Sequence, residues 1–487
     1  MAVNGERQVP YQLEIVDADG IAGIHAATVE VLSETGVIID DSEALELLIS
    51  AGATPDGEGL VRIPEDLVGW AIESAPSVVL IYSRESEEAM RLERGHTYCG
   101  TGSDCPYAID SQTGARRTAI KGDVETFARL GDALPSIDFI MSMGLASDVP
   151  PETADLHHFQ AMVYNTSKPI VFTAVGHQNL VDIIDLAGEI RGSSQAVQER
   201  PFLALFAMPS PPLRHSRIAL QNLIYCARRR VPVVYASGTT MGALGPMSIA
   251  GGSVSSNCDV LSGLVVHQLA EPGAPFIYGV GVSVMDMRTT IDSYGAPEHH
   301  LADAVNAQVA HSYGLPTWGY AADTDSKVVD LQAAMEYFSA AVMGFLSGCN
   351  LLHDVGYLES GMTASCESIV LGNEVVEFVR RLLQKVDVDK ETLAVEMIKR
   401  IGPGGMFLKE PHTRMHLREF WHSPLIDRRR YGQWASEGHR TMFDRVKAQA
   451  QDILSSHQPV PLDESIVQSI DNFIAARDAR AASATSL

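Results

Sequence analysis

The chain has 487 residues, and its 36 Lys and Arg against 61 Asp and Glu give a formal net charge of −25. A strongly anionic surface repels phosphate groups, which excludes nucleic acid and anionic membranes as partners held by bulk charge. Apolar residues at 46% and charged residues at 20% are typical of a globular protein with a large core. Because the sequence carries no secretion signal and no run of ~18 uninterrupted apolar residues, we expect a cytoplasmic protein.

The first 95 residues predict a mainly helical subdomain. Apolar residues recur at helical spacing over residues 21–35 and 41–51, and each segment ends at a glycine. A third helix is predicted over residues 64–74, where a proline suits the first turn. The apolar run 78–82 completes this unit.

Residues 96–385 alternate short apolar runs with longer amphipathic segments, which is the pattern of βα units. The eight runs predicted as strands are 97–100, 137–144, 169–174, 202–208, 231–236, 275–279, 317–320 and 349–355. The helices predicted after them are 122–134, 152–165, 178–191, 213–228, 246–270, 297–312, 328–346 and 362–384. Eight pairs favour an α/β TIM (β/α)8 barrel. A doubly wound sheet is the alternative, because alternation does not establish closure, but no G-x-G-x-x-G fingerprint supports it.

The last part, residues 386–487, predicts a helical extension rich in charge, with helices over 391–400, 433–456 and 464–480. These helices are a candidate contact between subunits of a homo-oligomer.

Metal ligands are not evident in the sequence. The six cysteines are scattered, and we expect reduced thiols in the core. Cys99 and Cys105 lie close together, but their spacing matches no common zinc pair. The His-His doublets at 157–158 and 299–300 place neighbouring rings on different faces of a helix, so we interpret them as solvent-facing. We therefore expect no bound metal.

In a barrel, the reacting groups lie where the strands end at the C-terminal face. Aromatic rings gathered there would surround a quaternary ammonium by cation–π attraction, worth ~0.5–2 kcal/mol per contact. The alternative is that strand aromatics only fill the layers of the barrel. The candidate cage residues are Tyr98, Phe206, Tyr235, Tyr278 and Tyr320.

Acidic side chains near the predicted strand ends, Asp104, Asp323 and Glu359, are candidates to offset a cationic substrate. His353 is a candidate to hydrogen-bond a substrate carboxylate or to titrate near neutral pH. The structural alternatives are helix N-caps for the aspartates and a satisfied, half-buried imidazole for the histidine. His353 and Glu359 are the candidate catalytic side chains, although no catalytic side chain is obligatory.

Two stretches resemble the trimethylamine methyltransferase family of corrinoid-dependent amine methyltransferases. They are PMSIAGGSVSSNCDVLSGLVVHQLAEPGAPFIYG at 246–279 and KEPHTRMHLREFWHSPLIDRRRYGQW at 409–434, and the similarity in length and order runs from about residue 12 to 456. The resemblance implies a TIM barrel that moves a methyl group from an amine to the Co(I) centre of a separate corrinoid protein. Cobalamin would then belong to that partner, with no cofactor tightly bound to this chain.

The branch of the family that acts on trimethylamine carries pyrrolysine in the barrel. The corresponding region here, DTDSKVVDLQ at 323–332, holds only ordinary side chains, with the equivalent position near Val328. A quaternary ammonium already bears its charge and leaves as a neutral amine without activation. We therefore favour a quaternary substrate and glycine betaine first. The alternatives are trimethylamine, choline, proline betaine, carnitine or γ-butyrobetaine as methyl donor, and a non-catalytic betaine-binding barrel.

Overall fold

The computed structural model describes residues 8, 12–57 and 59–485. At its centre lies a parallel sheet of seven strands in the spatial order Tyr98–Cys99, Leu351–His353, Thr317–Tyr320, Phe276–Gly279, Val233–Ala236, Leu203–Ala207 and Ile170–Thr173. Phe139 and Ile140 form parallel bridges to Gly100 and Ile170, at the two edges of that sheet. This eighth segment closes the sheet, so the predicted (β/α)8 barrel is confirmed and the doubly wound sheet is excluded.

Eight helices follow the strands and cover the outside of the barrel. They span Lys121–Ala133, Ala154–Asn165, His177–Arg191, Arg217–Arg229, Ile249–Ala270, Pro297–Ser312, Leu331–Ser347 and Cys366–Leu382. Each begins within four residues of its predicted start, because apolar periodicity and capping residues locate helices well. Ser194–Glu199 adds a short helix before the strand Leu203–Ala207.

The interior of the barrel is filled by alternate residues of the strands, as the period of two along a strand requires. One buried cluster joins Tyr98, Phe139, Met141, Val171, Ala204, Val234, Ala236, Ile277, Trp318 and Leu351. Side chains of the hairpin formed by Val79–Tyr82 and Glu88–Leu92 belong to the same cluster. The hairpin therefore closes the N-terminal end of the barrel, and the C-terminal end stays open.

The N-terminal region combines the predicted helices with short strands that the sequence analysis missed. The helices span Ala18–Glu30, Ser42–Ser50 and Glu65–Ser74, with a π-helical turn over Val31–Thr35, and the strands are Val37–Ile39, Thr54–Pro55 and Leu60–Arg62. Val37–Ile39 pairs in parallel with Arg214–His215. The three helices all contact Ile249–Ala270.

Ile249–Ala270 is the one helix of the described residues that is long and apolar enough to cross a membrane. Most of its apolar window is buried in the protein, between the barrel and the N-terminal helices. A helix that is covered on every side is apolar all round, and this explains its composition without a bilayer.

Two small three-stranded sheets rise from the loops at the open end. Thr239–Met241, Val282–Asp286 and Ile291–Ser293 form one sheet, and Thr363–Ala364, Tyr107–Ile109 and Arg116–Thr118 form the other. These sheets build up the wall around the open end.

The C-terminal extension contains helices Val395–Ile401, Pro411–His416, Tyr431–Ser436, Met442–Ser456 and Glu464–Thr485, with a 3-10 turn over Leu417–Glu419. The prediction of a single helix over 433–456 is wrong, because the helix is interrupted between Ser436 and Met442. Met442–Ser456 packs on Lys121–Ala133 and Cys366–Leu382. This part of the C-terminal extension thus packs back on the barrel.

Candidate active site

Strained backbone marks the open end of the barrel. Asp104, Met143, Ala322, Asp354 and Glu359 have positive φ although none is a glycine, and all follow barrel strands. Such conformations cost ~1–3 kcal/mol each and gather at functional sites, where the surrounding structure holds them. The strain therefore points to this end independently of any motif.

A cavity of about 400 Å³ opens beside the strands Ile170–Thr173 and Leu203–Ala207. Small-molecule sites usually have ~300–1,000 Å³. Its walls include Ser103, Asp104, Thr173, Phe206, Met208, Ser216, Ile218 and Asn222. Two residues of the predicted site, Asp104 and Phe206, thus meet in one cavity.

The carboxylate of Asp104 is held by hydroxyl groups. Ser142 Oγ donates to Oδ1 at 2.7 Å, and Thr173 Oγ1 donates to Oδ2 at 2.8 Å. His158 Nε2 accepts the N–H of Ala146, so the ring proton sits on Nδ1, 3.9 Å from Asp104 Oδ1. No Lys or Arg of the described residues lies within 4 Å of this carboxylate.

A cluster of aromatic rings adjoins the cavity. The ring centroid of Phe206 lies 5.5 Å from Trp318 and 6.0 Å from His353. His353 in turn lies 4.4 Å from Trp318 and 4.6 Å from Tyr320. Two other predicted residues, Phe206 and Tyr320, are thus brought together with Trp318 around His353.

His353 is a neutral, oriented imidazole. Its Nδ1–H donates to the carbonyl of Gly319 at 2.8 Å, and its Nε2 lies 3.2 Å from Asp354 Oδ1. Burial lowers the pKa of His353 to about 3 and raises that of Asp354 well above its usual range. His353 therefore stays neutral at ordinary pH, and the prediction that it titrates near neutral pH is wrong.

Deeper in the wall lies a group of buried ionisable side chains that the sequence analysis missed in part. His299 Nε2 is 3.4 Å from Asp303 Oδ2 and 3.9 Å from Asp323 Oδ2. Burial lowers the pKa of His299 to about 3, and raises the pKa of Asp323 to about 8 and that of Asp303 well above its usual range. Neither aspartate has a Lys or Arg within 4 Å in the described part of the chain.

The sequence pattern described as "Trimethylamine methyltransferase (MTTB)" matches residues 4–482. The chain belongs to the trimethylamine methyltransferase family. It is 32% identical over 471 residues to "Trimethylamine methyltransferase MttB" of Desulfitobacterium hafniense, covering 94% of each chain. It is 30% identical over 466 residues to "Glycine betaine methyltransferase" of the same species, covering 95% of this chain and 97% of that protein. The protein is therefore a methyltransferase of the corrinoid-dependent kind.

A solved structure agrees with this assignment at the level of the fold. The monomethylamine methyltransferase MtmB of Methanosarcina barkeri superposes with a TM-score of 0.53 at 12% identity, covering 91% of this chain and 88% of that one. Identity this low is evidence for a shared barrel only.

Three of the predicted cage residues of this methyltransferase lie away from the cavity. Tyr278 points outward and donates to Asn257 Oδ1 at 2.9 Å, and Tyr235 points outward to His215 Nδ1 at 2.7 Å. Tyr98 points inward but at the closed end, where its hydroxyl accepts the N–H of Arg91. The reason is strand register, because alternate residues face opposite sides and the composition of these strands does not reveal which.

The two remaining acidic candidates also differ from expectation. Glu359 is bound by Arg116 Nη2 at 2.8 Å and by Thr363 Oγ1 at 2.7 Å, so its charge is already offset. Asp323 caps no helix, because Asp330 accepts the N–H of Ala333 at the start of Leu331–Ser347. The carboxylate of Glu359 is thus paired with an arginine, whereas Asp323 has no Lys or Arg within 4 Å in the described residues.

The interpretation of the His-His doublets as solvent-facing is wrong. Both members of the 299–300 pair are at most 5% exposed, and those of the 157–158 pair at most 8%. The helix faces that carry them are covered by loops and by the C-terminal helix, as the contact of His157 Nε2 with Asp478 at 3.1 Å shows. Periodicity alone did not reveal these coverings.

Proposed function

We propose that this methyltransferase moves a methyl group from a quaternary ammonium compound, with glycine betaine as first choice, to the Co(I) centre of a separate corrinoid protein. One observation carries the proposal: carboxyl groups without a Lys or Arg within 4 Å meet aromatic rings at the open end of the barrel. In the described residues these carboxyls are Asp104, Asp303, Asp323 and Asp354. Burial keeps protons on Asp303, Asp323 and Asp354, so Asp104, which lines the cavity with Phe206, is the carboxylate placed to pair with a permanent cation.

A second part of the same cavity wall supports a substrate that also bears a carboxylate. Helix Arg217–Arg229 begins there, and Ser216, Ile218 and Ala219 of its first turn line the wall. The N-terminus of a helix carries free N–H groups and a partial positive charge, which favour an anion. With Asp104 and Phe206 elsewhere on the wall, the cavity has two poles that match the zwitterion of a betaine better than trimethylamine or choline.

The reaction needs positioning more than proton transfer. When the methyl carbon is attacked, its bond to nitrogen breaks, the electron pair stays on nitrogen, and a neutral tertiary amine leaves. The corrinoid of the partner supplies the nucleophile that accepts the methyl group. Phe206 and Asp104 hold the ammonium, and His353, fixed through Gly319 and Asp354, keeps the neighbouring rings in place. No general base is required.

The loop after strand Thr317–Tyr320 supports a quaternary substrate. Residues 323–332 run along the open end, and Val328, near the position we equate with pyrrolysine, is exposed. Only ordinary side chains occur in this loop. A substrate that is already cationic needs no special electrophile there.

The surface around the open end fits a protein partner. Apolar side chains with high exposure follow several strands, and they are Val175, Met208, Met247, Met287, Val328, Leu331 and Met335. We name these seven the mouth rim. Methionine-rich exposed surfaces mark protein interaction sites. We propose that the corrinoid protein docks on the mouth rim, because the methyl group leaves through this opening.

We also propose that the protein works in the cytoplasm as a homo-oligomer. All six cysteines are buried free thiols, which suits a reducing compartment, and Co(I) needs one as well. Residues 386–440, here called the C-terminal arm, carry ten Lys and Arg and eight Asp and Glu, a net charge of +2, whereas the remaining residues carry −27. The arm of one copy is thus complementary in charge to the body of another.

The test is an assay of methyl transfer. The purified protein is incubated with Co(I) cobalamin and, separately, glycine betaine, proline betaine, carnitine, choline or trimethylamine, and the methylated corrinoid is followed by absorbance. We expect transfer from a betaine and none from trimethylamine. Transfer from trimethylamine alone contradicts the quaternary substrate. Betaine binding in calorimetry without transfer to any corrinoid identifies a binding protein and contradicts the proposed reaction.

A further inference from the structure

The C-terminal arm contains a cluster of metal-ligating side chains that methyl transfer does not use. Its helices Val395–Ile401, Pro411–His416 and Tyr431–Ser436 bury no side chain. Within residues 386–440 only Leu425 is buried. Apolar packing therefore does little to hold the arm together, and polar contacts must contribute.

Three side chains of the arm converge on one point. His412 and His416 are four residues apart, so they lie on the same face of helix Pro411–His416, and their ring centroids are 4.1 Å apart. Glu391 reaches them from the preceding segment. Its Oε1 is 3.0 Å from His416 Nε2 and 3.7 Å from His412 Nε2.

These distances match a zinc site. Zinc binds imidazole nitrogen and carboxylate oxygen at ~2.0–2.1 Å in tetrahedral geometry, which places neighbouring ligand atoms about 3.3 Å apart. The two measured separations lie on either side of that value. Small rotations of the three side chains would bring all ligand atoms to bonding distance of one ion.

A second observation concerns the other nitrogen of His416. Nδ1 lies 2.6 Å from Glu419 Oε1, so a carboxylate stands behind the ring. A zinc-binding histidine usually donates its second N–H to such a carboxylate, which directs the Nε2 lone pair at the metal. Here Nε2 of His416 lies on the side of Glu391, 3.0 Å from its Oε1.

We propose that Glu391, His412 and His416 bind one divalent ion of the zinc class, with the fourth position open to water. The side chain of His416 is 16% exposed and that of Glu391 50%, so the ion enters from solvent without unfolding. The ion ties Glu391 to a helix more than twenty residues further along the chain, and so it stabilises an arm that has almost no core. The metal-free alternative is a protonated His416 between two glutamates, with His412 Nε2 at 3.3 Å from the Glu391 carbonyl.

The experiment uses the full chain after dialysis against a chelator. Zn²⁺ is added at micromolar free concentration, and elemental analysis after gel filtration gives the ions bound per chain. Limited proteolysis with and without Zn²⁺ reports on the arm. We expect one ion per chain, slower cleavage between residues 391 and 419 when it is bound, and a tetrahedral Co²⁺ spectrum after replacement.

Variants decide where the ion binds. The double variant His412→Ala/His416→Ala should lose the ion and the protection, and Glu419→Gln should weaken binding about tenfold. His422→Ala changes an exposed histidine of the same arm and should bind as the parent does. Absence of zinc from the parent protein overturns the proposal. So does a full ion in the double variant, which would place the metal at the buried cluster His299, His300 and Asp303 instead.

Discussion

The barrel and the C-terminal arm are stabilised in different ways. In the barrel, strand residues such as Val234, Ile277 and Trp318 are fully buried, and the helices cover the outer faces. The arm instead exposes most of its large apolar side chains, which are Val386, Val388, Leu393, Val395, Ile398, Met406, Phe407, Leu408, Met415, Leu417 and Phe420. Exposed apolar side chains gathered in one segment in this number are typical of an interaction site. The barrel is therefore held by its own apolar core, whereas the arm leaves most of its apolar side chains exposed.

The largest effect should come from the barrel. Asp104→Asn keeps the shape of the side chain and removes its charge, so we expect kcat/KM for glycine betaine to fall about 100-fold, the cost of losing a partly desolvated charge partner. Glu359→Gln is the matched control, because that carboxylate is already paired with Arg116, and it should change kcat/KM less than twofold. Equal losses in both variants would show that Asp104 does not contact the ammonium.

The next effect concerns the arm. Met406→Lys/Leu408→Lys places two charges on side chains that are 71% and 75% exposed in one chain, and we expect the dissociation constant of the oligomer to rise at least 30-fold. Light scattering after gel filtration measures the mass at several concentrations. Ile49→Lys, on an apolar side chain outside the arm, should leave the mass unchanged. If the double variant keeps the mass of the parent, a second copy does not cover this part of the arm.

A smaller effect should distinguish methyl transfer to the corrinoid protein from methyl transfer to free cobalamin. Leu331→Asp/Met335→Asp alters the mouth rim near the start of helix Leu331–Ser347. The helix dipole favours acidic residues at this end of a helix. We expect KM for the corrinoid protein to rise about tenfold and the rate with free cobalamin to stay the same. A matching loss with free cobalamin would indicate damage to the cavity instead of the docking surface.

The last effect is a pH dependence of stability, which leaves methyl transfer itself aside. The folded pKa of Asp323, about 8, lies above the ordinary value of 3.8, so between these values the native state holds a proton that the unfolded chain has lost. The free energy of unfolding therefore falls as pH rises through this window, by up to about 1.4 kcal/mol per pH unit. We expect Asp323→Asn to reduce that slope in urea titrations between pH 5 and 8.

Asp110→Asn is the control for this measurement. Hydrogen bonds from Thr113 lower the pKa of Asp110, so its contribution is complete above the unfolded pKa and is lost only as pH falls below it. The slope between pH 5 and 8 should then match that of the parent. If Asp323→Asn keeps the slope of the parent as well, the carboxyl of Asp323 is ionised in the native state.

The sequence predicted the positions of the barrel helices and strands. It did not predict to which face of a strand several side chains point. The barrel helices were located to within four residues, because apolar periodicity is a local signal. The predicted starts 213, 328 and 362 lie two or three residues before the capping residues Ser216, Asp330 and Ser365, which set the true starts. The direction of a strand side chain was not predictable in the same way. Tyr235 and Phe206 look alike in sequence, yet one faces a helix and the other the cavity.

The sequence by itself determined the eight βα pairs, the family and the presence of aromatic and acidic residues at the strand ends. The βα pairs and the types of side chain follow from local periodicity and composition, and the family follows from the resemblance of residues 246–279 and 409–434. None of these needs knowledge of distant contacts. Only the tertiary structure decided that Asp104 and Phe206 share a cavity, that Glu359 is neutralised by Arg116, and that Asp303 joins Asp323. Each of these contacts joins residues far apart in the chain or depends on which face of a strand or helix is covered. Closure of the barrel determines which distant residues meet and which faces are covered.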